Sequence, residues 1–327
     1  MKEIELWKFI EKKLDSDFEV ILMVVAESSK SSPGRASFKM AISGDNKLAG
    51  TVGGGIMEHK LLEECRDHFK SGMKINLVKK LFHNKTSTGE KSGLICGGTE
   101  TIILKSLQEK DKTSISRIIK HYDNLKSGTL KIDQSGVLFD ESNIHQSKIS
   151  FDFKSDNEWS YQETSGQPYT VYVIGGGHVG LAVSKVMSTQ DFFVITIDPR
   201  KDVFTMVNNT YANKKLIIPY DEVGKHIIEG DRSFAVIVTS EHDTDLAALK
   251  SVINKKLRYI GLMGSKAKIK SIFSKVIEQG VGPELLKKVH TPIGIEIEAE
   301  SPEEIGISVA AEIIKIKNEK PVEKADE

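Results

Sequence analysis

The feature that most constrains this chain is the run VYVIGGGHVG, in which an apolar strand breaks into glycines and a helix follows at once. Gly175, Gly177 and Gly180 fit G-x-G-x-x-G, and Asp198 ends the next apolar stretch, FFVITID, 21 residues after Gly177. That offset suits a carboxylate that meets a ribose hydroxyl in a dinucleotide-binding βαβ unit. Gly175 permits the tight turn, Gly177 lets backbone approach a phosphate, and Gly180 lets helix and strand pack closely. The helix start supplies unpaired N–H groups and a partial positive charge, which together attract an anion. The plain alternative is a βαβ turn that has lost its ligand.

The same texture continues downstream. AVIVTS and LRYIGLMGS are further apolar runs separated by helix-patterned stretches. Such alternation predicts a parallel sheet with helices on both faces and right-handed crossovers. The last helix is marked by Ser301 as cap, Pro302 in the first turn, Glu304 completing a Ser-x-x-Glu box, and a stripe of Ile305, Val309, Ile313 and Ile316. Residues 166–320 therefore read as a Rossmann-like α/β domain for a phosphate-bearing ligand, and 321–327 as a polar tail.

Several side chains cluster at the carboxyl edge of this sheet. Arg200 could meet an extra phosphate or stack on a base, or be a solvated loop residue. His178, in the first helical turn, could donate to an anion or serve as a satisfied capping or core residue. His242, in TSEHD, stands where open α/β sheets bind ligands, or merely starts a helix. Gly261 to Gly264 form a second glycine loop, with Lys266 as counter-charge to an anion and Ser265 as a simple helix cap in the alternative reading.

Residues 1–165 read as an α+β domain. MKEIELWKFIEKKL is an amphipathic helix and lacks the apolar core of a signal peptide. Strands are predicted at Glu19–Ala26, Phe38–Ile42, Ile75–Phe82 and Thr99–Leu107, with a TLKID/VLFD hairpin further on. Ile115, Ile118, Ile119, Tyr122 and Leu125 form a helical stripe ended by Gly128. From 140 to 166 polar residues dominate, and the domain boundary is expected there. Gly53, Gly54 and Gly55 open a helix and could form an anion-binding concavity, but the Lys-Ser/Thr of a P-loop is missing. Glu58 in that helix is a dipole-favoured surface acid or a ligand-facing one, and His59 beside it is equally ambiguous. Cys96, followed by Gly97 and Gly98, is a thiol beside backbone amides, a setting that eases ionisation to a soft metal ligand and nucleophile; a structural role stands equally. Cys65 falls on an apolar helical stripe with Leu61 and Phe69 and reads as inert core.

Composition narrows the setting. The 46 basic and 46 acidic residues leave no net charge, so nothing asks for nucleic acid. No run approaches the roughly 18 apolar residues that span a membrane. Two cysteines are too few for a disulfide framework, and a cytoplasmic location is expected.

The segments SSPGRASFKM, GTVGGGIMEHKLLEE, LICGG, VIGGGHVG with the later DPR, TSEHD, YIGLMGSKAK and HTPIGIEIEAESPEEIGISVAAEII occur here in that order. Together they resemble the XdhC/CoxI family, accessory proteins that handle molybdenum cofactor for xanthine dehydrogenase and related hydroxylases. The resemblance covers both ends of the chain and matches the polar middle poorly. It implies a homodimeric cytoplasmic chaperone that binds molybdenum cofactor, protects its sulfurated form and inserts it into an apo-hydroxylase, with a cysteine desulfurase as sulfur donor. Read from its residues, the chain is expected to carry no metal-ligand set and not itself to be a xanthine dehydrogenase, since it has too few cysteines to hold the iron–sulfur clusters of such hydroxylases. Carried over by position, Gly53, Gly54, Gly55 and Glu58 belong to the first motif, and Cys96, Gly97 and Gly98 to the second. Gly175, Gly177, His178, Gly180, Asp198 and Arg200 form the Rossmann site, and Cys96 and Glu58 would handle the cofactor. One departure is Ile56, where many members carry a cysteine; it leaves Cys96 as the sulfur ligand. Two other classes fit the motifs: an NAD(P)-dependent oxidoreductase, and a cofactor-modifying nucleotidyltransferase with a divalent metal at TSEHD.

Overall fold

An apolar run that does not alternate must be covered on both sides, and the first such run becomes the middle strand of a sheet packed on two faces. The computed structural model describes residues 3–29, 31–83, 98–142 and 149–319. The chain divides into two units, Met1–Gln167 and Pro168–Glu327.

The first unit opens with α1 (Glu3–Asp15), whose Leu6, Trp7, Ile10 and Leu14 are buried at helical spacing. Glu3 and Glu5 in its first turn and Lys12 and Lys13 in its last suit the helix dipole. Then come β1 (Val20–Ser28), β2 (Lys39–Ser43), β3 (Leu48–Gly50), α2 (Gly55–Ser71), β4 (Asn76–Phe82), β5 (Thr99–Ser106) and α3 (Lys112–Asp123). The strands form an antiparallel sheet in the order β3-β2-β1-β5-β4. Val20, Leu22 and Val24 of β1 share a core with Trp7 and Ile10 of α1 and with Ile115 and Ile118 of α3. Ile21, Met23 and Val25 point the other way, onto Met57, Leu61 and Cys65 of α2. Each such fully buried Val, Leu or Ile contributes roughly 1.5–3 kcal/mol. Burial pushes the Cys65 thiol up to about 12, so at neutral pH it stays protonated.

Two expectations are corrected here. The stripe read through Leu125 to Gly128 stops at Asp123, because Leu125 adopts a left-handed φ of 54° and turns the chain away from the helix. Gly128 instead begins β6 (Gly128–Asp133), which pairs with β7 (Val137–Asp140) as the expected hairpin. Much of the polar stretch before 166 is also ordered structure: β8 (Ile149–Ser155) and β9 (Glu158–Ser165) complete a four-stranded sheet, β7-β6-β9-β8. Trp159, Tyr161, Glu163 and Ser165 of β9 are buried, and the residues between them are not. A carboxylate is tolerated on that inner face because Lys39 lies 2.5 Å from Glu163 and the Tyr161 hydroxyl donates to it at 2.7 Å. Lys39 also contacts Glu3 of α1 at 2.9 Å. Burial opposes the Lys39 charge, but attraction to Glu163 and Glu3 outweighs it and holds the ammonium pKa above its ordinary value.

The second unit runs β10 (Thr170–Ile174), α4 (His178–Thr189), β11 (Phe193–Ile197), α5 (Phe204–Val207), β12 (Lys214–Leu216) and β13 (Gly230–Ile237). It continues through α6 (His242–Val252), β14 (Leu257–Leu262), α7 (Lys266–Glu278), α8 (Pro283–Leu286), β15 (Val289–His290) and α9 (Pro302–Asn318). All six strands are parallel, in the order β12-β11-β10-β13-β14-β15. Val171 and Val173 pack against Val183 and Met187 of α4 and Val309 and Ile313 of α9. Tyr172, Ile174, Ala235 and Ile237 are buried as well, and α6 packs along β13 and β14. The capping box of α9 is formed: Glu304 N–H donates to Ser301 Oγ at 3.2 Å and Ser301 N–H to Glu304 Oε2 at 2.9 Å. The expected Rossmann-type sheet is therefore present, following an α+β unit in the sequence. Among the described residues no helix is long and apolar enough to cross a membrane.

Candidate functional site

From β10 the chain builds β11 and β12 on one side, then crosses back to lay β13 on the other. Ligands of open parallel sheets sit beyond the carboxyl ends of the two strands that flank such a reversal. The glycine turn stands there. Gly175 takes φ of 121° and its N–H donates to Ile197 O at 2.8 Å. A β-carbon on Gly180 would lie 1.9 Å from the Gly175 carbonyl oxygen, so α4 presses directly on the strand end. Gly177 precedes the first residue of α4, and among the described residues nothing lies within 4 Å of where its β-carbon would stand. Backbone is open to a ligand at that point.

Asp198 faces inward. It is fully buried, and Oδ2 accepts from Gly176 N–H at 2.8 Å, Arg200 Nη2 at 2.8 Å and Tyr220 O–H at 3.1 Å. Oδ1 accepts from the backbone N–H and from Nε of Arg200, both at 2.9 Å. The Thr205 hydroxyl donates to Gly176 O, so Gly176 is gripped at both ends of its peptide groups. In this arrangement the acid placed by the sequence at a ribose hydroxyl locks the glycine turn, and Arg200 clamps the acid. Burial works to raise the Asp198 pKa, but the hydrogen bonds from Arg200 and Gly176 and the Arg200 charge hold it down to about 2. Burial and the neighbouring Asp198 push the Tyr220 hydroxyl above its ordinary range.

The depressed value has a pH consequence. Stability from this carboxylate is fully present above its ordinary pKa of 3.8 and is lost as pH falls toward about 2. We expect the melting temperature to drop through that window, and Asp198→Asn to be less stable near neutrality with a flatter acid limb. Melting curves collected across the window check this; identical acid slopes in the two proteins would discard it.

The other edge residues are placed as follows. His178 and His242 are the first residues of α4 and α6, and both are exposed. Ser265 is a helix cap, accepting from Lys268 N–H at 3.3 Å, while Lys266 is exposed. The acid that the TSEHD segment leads to is Asp245, which the sequence reading passed over. It is fully buried, accepts from the Thr239 hydroxyl, and pairs with Lys268 at 2.5 Å. Burial lifts its carboxyl above the ordinary value, against Lys268 and Thr239. Helical spacing offered a signal: Asp245, Ala248, Leu249 and Val252 share the buried face of α6.

In the first unit, Glu58 closes its own loop. Its Oε1 accepts from Val52 N–H at 3.0 Å, Gly53 N–H at 3.2 Å and the Thr51 hydroxyl. The amides expected to cradle an anion are thus partly engaged by this side chain. Gly53 abuts the SSPGRAS segment, for a β-carbon on it would stand 2.3 Å from Gly34 Cα. Gly54 caps α2 and Gly55 begins it. Gly34 N–H in turn donates to Glu100 Oε1 at 2.7 Å, and His83 Nε2 lies 3.3 Å from the same oxygen, with both side chains fully buried. Neither Glu100 nor His83 stood out in the sequence. Gly98 faces the Ser29, Ser31 and Ser32 hydroxyls. His59 and Ile56 are exposed. Cys96 and Gly97 lie outside the described residues. Among those described, no group of three His, Cys, Asp or Glu could hold a metal ion.

A parallel sheet in this order, with a glycine turn at its reversal, defines the second unit as a Rossmann-type domain. Residues 171–313 match the XdhC Rossmann domain, and residues 14–78 match the XdhC and CoxI family. The chain belongs to the XdhC/CoxI family. It is 22% identical to the Escherichia coli (strain K12) protein named "Uncharacterized protein YqeB", over 94% of this chain and 46% of that protein, so it spans about half of that relative's length. It is 20% identical to a Bacillus subtilis (strain 168) protein whose name makes it a probable component of a xanthine dehydrogenase, over 92% of this chain and 94% of the other. A solved Bacillus halodurans structure titled as a xanthine dehydrogenase superposes with a TM-score of 0.72 at 20% identity, covering 99% of this chain and 98% of its own.

Proposed function

We propose that this chain is an accessory protein of a xanthine dehydrogenase-type molybdenum hydroxylase, carrying molybdenum cofactor and inserting it into the apo-enzyme. The observation that carries the reading is the open backbone of Gly177 at the start of α4, beyond the strand pair where the sheet reverses. A pterin cofactor with a phosphate or pyrophosphate end suits unpaired helix N–H groups at such a turn. Few strong ligands are needed for the metal end, because a carrier must let go. Cys96 is the sulfur ligand in this reading; it protects the sulfurated form, with a cysteine desulfurase as sulfur donor and a second copy of the chain as dimer partner.

Transfer tests it. Purified protein from molybdenum-replete cells is expected to retain a pterin cofactor by native mass spectrometry and to activate an apo-hydroxylase. Cys96→Ser is expected to fold normally and to lose transfer of sulfurated cofactor. An apo-hydroxylase that gains no activity from the cofactor-loaded chain would refute the role. Substrate-dependent reduction of NAD would favour an oxidoreductase instead.

A further inference from the structure

A carboxylate offers about four lone-pair positions, and Asp198 already accepts from five N–H or O–H donors. It has no acceptor capacity left for the two hydroxyls of a ribose. Those same bonds use only Nε and Nη2 of the Arg200 guanidinium. Nη1 is not among the atoms so used, the Tyr220 hydroxyl also lies against the guanidinium, and the side chain is 55% exposed. The clamp therefore reverses the chemistry that the second strand end presents: the acid is silent and the cation is offered.

A second feature lies on the same support. Phe204 is 78% exposed, and the next residue, Thr205, donates to the carbonyl of Gly176, whose N–H is held by Asp198. An aromatic face and a planar cation are thus both anchored to the glycine turn. Aromatic faces stack on heterocycles, and a guanidinium matches phosphate geometry.

We propose that this crevice recognises its ligand through a phosphate on Arg200, beside a heterocycle, and does not recognise a free ribose diol. The inference rests on the reading that the crevice takes a phosphate-bearing ligand, and it names the group that selects among such ligands. A 2′-phosphorylated nucleotide and a pterin phosphate both carry this chemistry.

Paired probes separate the two sources. Isothermal titration of the full-length chain would compare adenosine 2′,5′-bisphosphate with 5′-AMP, and a phosphorylated pterin with its dephosphorylated counterpart. In at least one pair the phosphorylated member is expected to bind ten-fold tighter or better. Arg200→Ala should bring that pair within two-fold, and Arg200→Lys should keep part of the difference. Circular dichroism and melting curves check that both variants fold, and the wild-type comparison stands without them. The proposal is overturned if neither pair separates, if no probe binds, if the free diol is preferred, or if the preference survives Arg200→Ala in a folded protein. Failure of cofactor transfer with phosphate preference intact would instead count against the accessory role alone.

Discussion

Gly180→Ala is expected to destabilise the second unit by about 3 kcal/mol or more, since overpacking against unyielding atoms stands at the upper end of such effects. The added carbon would stand 1.9 Å from the Gly175 carbonyl oxygen, and neither backbone can step aside without moving α4 off the sheet. For a unit of this size the melting temperature should fall by on the order of 10 °C. Gly177→Ala is the matched control. Its φ of −73° suits alanine and its β-carbon would meet open space, so stability should hold or rise by about 0.4–1 kcal/mol through the unfolded state. Ligand retention should nevertheless suffer there, because the new methyl would occupy the approach to the turn. Differential scanning calorimetry of both variants decides the matter; equal melting temperatures would mean that α4 does not press on the strand as described.

Lys39→Met is expected to cost the first unit about 3–5 kcal/mol at neutral pH, because it leaves Glu163 buried without its cation. Burial then pushes the Glu163 carboxyl up, and the loss should ease as acid protonates it. Adding Glu163→Gln should recover much of the deficit, which separates the charge effect from lost packing. The wild-type protein carries its own signature at the alkaline end. With the Lys39 pKa raised above 10.5, its contribution is complete below that value and disappears as pH climbs through the folded-state pKa. Urea denaturation of the single and double variants provides the measurement. A deficit under about 1 kcal/mol would show the pair to be no stronger than a surface ion pair.

What could be read from residue order alone was whatever depends on near neighbours. The doubly buried β1, the glycine turn before α4 and the Ser301–Glu304 box are each written within a dozen residues. The polar groups of the candidate sites were harder, because their partners come from far along the chain. Asp198 was found by its spacing, yet its inward orientation depends on Gly176 and Tyr220, each 22 residues away. Glu100 was hidden in the strand TETIILK and gains meaning only when Gly34 arrives, 66 residues earlier in sequence. Lys266 stands out in the sequence because it follows a glycine loop, whereas the turn of α7 brings a different lysine, Lys268, to Asp245. The hairpin of β8 and β9 went unseen for a related reason: an alternating strand whose inner face includes Glu163 looks polar until Lys39 is set beside it.

The hydroxyl of Ser165, the last residue of β9, donates to Glu3, the first residue of α1, at 3.3 Å. A fold whose beginning and end lie at one spot behaves as a cassette, since its two ends can be bridged by a few residues and the chain reopened at a distant hairpin. Circular permutants cut between β6 and β7 at Ser135, the exposed residue of the short turn that joins the strands, should keep both cores of the first unit while reversing the order in which its sheets are made.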